Sequence, residues 1–123
     1  MNPVFEVLPP TQTFTDSLER NFPDKVMQEK IYRKMKEMLS IRPYRYEMFY
    51  SNVKVGGVNL AGLRHMKVGA NGGHKGGAVV FYRVCEECKK NEYAKTSGVE
   101  CAFCDESKGK HVVLFLVVPR ASY

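Results

Sequence analysis

Four cysteines, Cys85, Cys88, Cys101 and Cys104, have the spacing in this chain that points most directly to chemistry. They form two CxxC pairs separated by twelve residues, which lets two tight turns present four thiolates tetrahedrally to one Zn²⁺. A closed set of this kind leaves no open coordination position, so the metal would be structural and not a Lewis acid. The intervening KKNEYAKTSGVE is polar and turn-rich and cannot bury a core of its own, so metal binding would supply its order. Four thiolates on one Zn²⁺ leave a negative site that Lys89, Lys90 and Lys95 could partly offset. Lys89 and Lys90 are equally candidates for contact with RNA, and Glu86, Glu87 and Asp105 read as solvated. Iron held in the rubredoxin manner and two disulfides are the alternatives to zinc.

Strand alternation along residues 63–68 puts His65 and Lys67 on one face and Arg64 and Met66 on the other. That segment must be positioned by the rest of the chain, which reads as helices followed by strands. Residues 4–8 alternate as a short strand that stops at Pro9 and Pro10. Thr13 and Asp16 resemble a capping box for a first helix with Phe14, Leu18 and Phe22 along one face. Asp24 is the N-cap of a second helix whose apolar face is Met27, Ile31, Met35, Met38 and Leu39, with a basic and acidic opposite face. Residues 43–62 form an aromatic, polar connection with a turn pair at Gly56 and Gly57, consistent with a loose hairpin. Strands follow at residues 63–68, 78–84 and 112–118, the last continuously apolar and therefore buried on both faces. The expected class is α+β, with two helices packed on a twisted antiparallel sheet and a zinc-binding insertion at residues 85–110 between the last two strands.

The chain of 123 residues fits a single domain, and 44% hydrophobic with 26% charged residues is ordinary for a folded one. Nineteen Lys and Arg against thirteen Asp and Glu leave a formal charge of +6, which favours a polyanionic partner. Nucleic acid is the default partner, with basicity for solubility alone as the alternative reading of that charge. The N-terminal residues lack the basic and apolar regions of a signal peptide, and no stretch approaches about 18 consecutive apolar residues. A cytoplasmic protein without a membrane partner is expected, and close cysteine pairs in a reducing compartment favour metal over disulfides.

GLRHMKV at residues 62–68, a glycine-rich turn and KGGAVVFY at residues 75–82 resemble the central hairpin of RelE- and HigB-type toxins. In that family the pattern runs GLRKLRV, a gap, then K-x-GGARVIYY. The ending VVPRASY is similar to the family's closing strand. The resemblance covers the chain apart from residues 85–110. It implies the toxin component of a toxin–antitoxin system, an endoribonuclease that cuts mRNA, commonly on the ribosome, inhibits translation and is neutralised by a cognate antitoxin. The implied chemistry is attack by a ribose 2′-OH on the adjacent phosphate without a metal.

The positions matching His65 and Lys67 are basic active-site residues in the family. Lys67 would take or relay the 2′-OH proton if neighbouring cations depress its pKa, and His65 is the alternative base. Arg120 matches the arginine that holds the scissile phosphate, a role suited to the guanidinium fork. Tyr123 matches a C-terminal tyrosine that stacks on a base or assists proton transfer. Arg64, Lys75 and Arg83 complete the expected RNA-contacting set. One departure is plain: Val79 stands where the strand arginine of GGARVIYY is expected. Arg83 could substitute from the same face but sits about 13 Å away by strand rise. Two other readings follow, a non-catalytic zinc-containing module that binds RNA or protein, and gyrase inhibition, against which His65 and Lys67 count.

The cysteine spacing predicts one zinc per chain. Elemental analysis of fully reduced, purified protein checks this, and a metal-free result with all four thiols titratable removes the assignment.

Overall fold

In the computed structural model, residues 4–49, 53–55, 58–69, 77–91 and 110–119 are described. Strand β1 (Glu6–Val7) leads to helices α1 (Gln12–Asn21) and α2 (Lys25–Ile41) and a 3-10 turn at Pro43–Arg45. A small hairpin, β2 (Lys54–Val55) and β3 (Val58–Asn59), precedes β4 (Arg64–Val68) and β5 (Ala78–Val84). Helix α3 (Cys85–Asn91) follows β5 directly, and β6 (His111–Pro119) comes last. The fold is mixed α+β, with sheet order β1-β6-β5-β4. Among the described residues no helix is long and apolar enough to cross a membrane.

The sheet is not purely antiparallel as expected. β1 pairs parallel with β6, Glu6 opposite His111 and Val7 opposite Val112, while β6, β5 and β4 run antiparallel in turn. The first strand is also shorter than its alternation suggested, because after Val7 the chain leaves strand geometry for the two prolines.

Residues of α1 cover the edge of β6 beyond the end of β1. Thr11 donates to the Leu114 carbonyl through both its backbone N–H (3.3 Å) and its hydroxyl (2.9 Å). The Ser17 hydroxyl accepts from the Val117 N–H (3.0 Å), and Asn21 donates to the Val117 carbonyl (3.0 Å). Polar side chains thus take the place of a neighbouring strand, which an edge otherwise leaves unsatisfied. The same contact decides the helix start. Thr11, not Thr13, is the N-cap, accepting from the Phe14 N–H, and Asp16 instead accepts from the Gln12 side chain.

Helix α2 starts where expected, with Asp24 accepting from the Val26 N–H, and buries Ile31, Met35 and Leu39. Both helices lie on one face of the sheet, where Phe14, Ile31, Met35 and Leu39 pack with Met66, Val68, Val80, Tyr82, Val84, Val112 and Leu114. The other face carries a second cluster of Leu60, Leu63, Val79, Phe81, Cys85, Val113 and Phe115, with Leu8 and Phe49 against it. A bulge opposite Phe81 and Tyr82 inserts Phe115 into β6. Phe115 and Leu116 consequently both turn to this second face, and alternation resumes with Val117 toward the helices.

Ser17 is fully buried and its hydroxyl also donates to the Phe14 carbonyl (2.8 Å). Ser17→Ala leaves the Val117 N–H buried without its acceptor and is expected to cost about 1–3 kcal/mol. Urea unfolding of the variant against Asp16→Ala, an exposed control one residue away, measures this.

Candidate functional site

Strand β4 lies at the sheet edge, with β5 on one side. Its alternation sends Met66 and Val68 into the helix-side cluster and His65 and Lys67 to the opposite face, where Lys67 is exposed. The cross-strand partner of His65 is Phe81 and that of Lys67 is Val79. The His65 ring stacks on Phe81 (centroids 5.9 Å apart, 27° between planes) and meets Phe49 edge-on at 5.9 Å. Phe49 also meets Phe81 edge-on, so the imidazole is one wall of an aromatic cluster.

On its outer side, β4 is partly covered by residues 47–49. The His65 N–H donates to the Glu47 carbonyl (3.0 Å), Met48 bridges Arg64, and the Phe49 N–H donates to the Leu63 carbonyl (2.8 Å). At the turn before β4, Gly62 takes a positive φ of 85° and its N–H donates to the Phe49 carbonyl, a conformation that favours glycine. Burial holds the His65 pKa below its ordinary value. Lys67 pushes in the same direction, whereas Glu47, by its charge and its backbone bond, opposes them. His65 is therefore the neutral imidazole at neutral pH, the form that can accept a proton.

Arg64 points to the other face and is engaged within the protein. Its Nε and one terminal nitrogen grip the Glu87 carboxylate at 2.9 and 2.6 Å, and the other terminal nitrogen donates to the Tyr46 carbonyl at 2.7 Å. The guanidinium lies over the Tyr44 ring, 5.1 Å from its centroid, and the Tyr44 hydroxyl donates to Glu86 at 2.6 Å. The bond to Glu87, against the opposing effect of burial, raises the Arg64 pKa above its ordinary value. Glu86 and Glu87, which read as solvated, are thus committed partners, and with Arg64 and residues 44–48 Glu87 lines a polar cleft of about 610 Å³.

Arg83 shares the face of His65 and Lys67 but is only 3% exposed, with its guanidinium 4.7 Å from the centroid of the Phe115 ring. It does not stand on the surface as a replacement for a cation at position 79. Val79 itself is fully buried in the second cluster.

The first CxxC pair opens α3 instead of a tight turn. Cys85 is buried in the second cluster and Cys88 follows one helical turn later. Cys101, Cys104, Lys75, Arg120 and Tyr123, and the side chains of Cys88 and Lys89, lie outside the described residues, while Lys90 is exposed on α3. Glu47, Phe49 and Phe81 are neighbours of His65 that sequence reasoning passed over. The alternation of GGAVVFY marks Phe81 as facing with Val79, but the bridge that delivers Glu47 and Phe49 has no local signature.

Comparison with protein-family models, with curated proteins and with solved structures returns no match.

The lowered pKa of His65 has a stability consequence of definite sign. Below about pH 6.5 the unfolded chain takes up a proton at this imidazole that the folded chain resists, so the contribution is full at neutral pH and falls as pH drops. Urea unfolding at pH 7.5 and 5.5 should show a smaller loss for His65→Gln than for wild type, and equal losses would refute the assignment.

Proposed function

We propose that this chain is an endoribonuclease resembling the RelE-type toxins, acting through the face of β4 that carries His65 and Lys67. The observation that carries the reading is the pairing on that face of an imidazole held neutral with an exposed lysine two residues away. A neutral His65 accepts the proton of a ribose 2′-OH as that oxygen attacks the adjacent phosphorus. The P–O5′ bond breaks, the 5′ oxygen leaves by taking a proton from solvent water, and a 2′,3′-cyclic phosphate remains while the protonated His65 returns its proton to solvent. Lys67 supplies positive charge for the dianionic transition state, and Arg120, one residue beyond the end of β6 in sequence, supplies the guanidinium fork that the resemblance assigns to the phosphate. Pro119 pairs with Ala78, the neighbour of Val79, which in turn faces Lys67 across the sheet.

The proposed substrate is mRNA, engaged on the ribosome, with a cognate antitoxin as the controlling partner in the cytoplasm. The net charge of +6 suits a polyanion. A structural zinc on Cys85, Cys88, Cys101 and Cys104 belongs to the same proposal and takes no part in the chemistry. The burial of Val79 and Arg83 favours one second reading, a non-catalytic module that binds RNA on the same scaffold.

Arg120→Ala should lower the rate of mRNA cutting by about 10²–10³-fold, as loss of one oxyanion donor does, with circular dichroism and metal content unchanged. His65→Gln should reduce cutting at neutral pH, the products should carry a 2′,3′-cyclic phosphate or the 3′-phosphate derived from it, and brief EDTA treatment should leave the rate intact. Wild type that binds RNA with steep salt dependence, yet cuts neither free nor ribosome-bound mRNA, replaces the catalytic reading with the binding one.

A further inference from the structure

The Arg64 to Glu87 pair takes no part in the proton transfer proposed above, yet its hydrogen bonds lead to the segment that covers His65. Glu87 sits in the first turn of α3, a helix that follows β5 without a linker and begins with the buried Cys85. The carboxylate is therefore presented from a fixed support. It takes two N–H groups of Arg64 side-on, and the third guanidinium nitrogen holds the Tyr46 carbonyl. The next carbonyl, that of Glu47, accepts from His65, and two residues further the Phe49 ring closes on the imidazole edge. The bond from Tyr44 to Glu86 fixes the start of the same segment to the same helical turn.

We infer that Glu87, acting through Arg64, is a positioning residue that latches residues 44–49 along the edge of β4 and so seats His65. Its bearing on cleavage rests on the ribonuclease reading, while the latch does not. The side chains of Arg64 and Glu87 are 17% and 15% exposed, so the pair is screened less than a surface bridge and its loss is felt. The two ends of the guanidinium serve different elements, one the helix and the other the covering segment. A lysine, with a single ammonium, cannot span both in this fork geometry.

Among the described residues, the charged groups acting on His65 are Glu47 and Lys67. Removing a carboxylate from the neighbourhood would, by Coulomb's law alone, lower an imidazole pKa. Loosening the latch does the opposite, because it relieves the burial that depresses His65. The sign of the shift therefore distinguishes positioning from simple loss of charge.

The experiment is an NMR titration of His65, with amide exchange at His65 and Phe49, on the full-length protein as purified. In Glu87→Gln, which keeps the side-chain volume, the His65 pKa should rise toward about 6.5 and exchange at both amides should quicken about tenfold or more. Glu87→Asp should fall between Gln and wild type, and Arg64→Lys should behave like Glu87→Gln. Should the Gln variant not fold, the Asp and Lys variants carry the same measurement. A folded variant whose His65 pKa is unchanged or lower, with wild-type exchange at both amides, overturns the latch. In the RNA assay the acid limb of the pH profile should move up with the His65 pKa. A wild-type protein that cuts no RNA overturns the ribonuclease reading and leaves the latch to be decided by NMR.

Discussion

The antiparallel pairing of β5 with β6 is the constraint from which the rest of this structure follows. Every residue of β5 is buried, and β6 is buried from Val112 to Val118, so neither strand can leave a face to water. Two covers are required. The long apolar faces of α1 and α2 supply one, and Leu8, Phe49, Leu60 and Leu63 supply part of the other from connecting segments. The pairing also creates an edge on β6 that β1 is too short to fill, and Thr11, the N-cap of α1, fills it together with Ser17 and Asn21 of that helix. A helix placed this way satisfies backbone groups as well as burying apolar area.

Strand β4 inherits a gradient from that arrangement. Toward β5 it is packed, and away from β5 it depends on residues 47–49 for cover, so exposure rises from His65 to Lys67 within two residues. An imidazole at the start of such a gradient is buried enough for its pKa to fall below the ordinary value, while the ammonium beyond it stands exposed to water. The chemistry proposed for this face uses that difference. Packing, not a dedicated charge partner, is the largest influence on the His65 pKa, which is why a segment held from the opposite face by Arg64 matters to it.

What the amino-acid sequence disclosed was local. Asp24 and the face of Met27, Ile31, Met35, Met38 and Leu39 announced α2, the strand read at residues 78–84 is β5, and the continuous apolar run located β6 within a residue at each end. The loose hairpin read within residues 43–62 is present as the antiparallel pairing of β2 with β3. Features set by distant partners were not legible. The parallel pairing of β1 joins segments at opposite ends of the chain, and the choice of Thr11 over Thr13 as cap is made by Leu114 on β6. Alternation placed Arg64 and Arg83 on their faces but could not say that Glu87 would engage one and Phe115 stack against the other. Long cationic side chains on a sheet face read as solvent-facing until the neighbours are known.

Val79 bears most directly on how far the proposed chemistry can reach. A cation at that position would flank Lys67, but the valine is fully buried among Phe81, Val113 and Val118, so the space is filled by apolar side chains and is not a vacant phosphate pocket. Arg83, which shares that face, is buried with its guanidinium against the Phe115 ring. On the described part of that face, phosphate charge in the proposed reaction would be met by the exposed Lys67, where water screens the contact more than it would in a closed pocket. Losing one preorganised donor costs about 10²–10³-fold in rate, and a screened replacement recovers only part of that. In the proposed reaction this arrangement would make a slow cutter, whose specificity would come from where the chain docks on RNA more than from the turnover of the site itself.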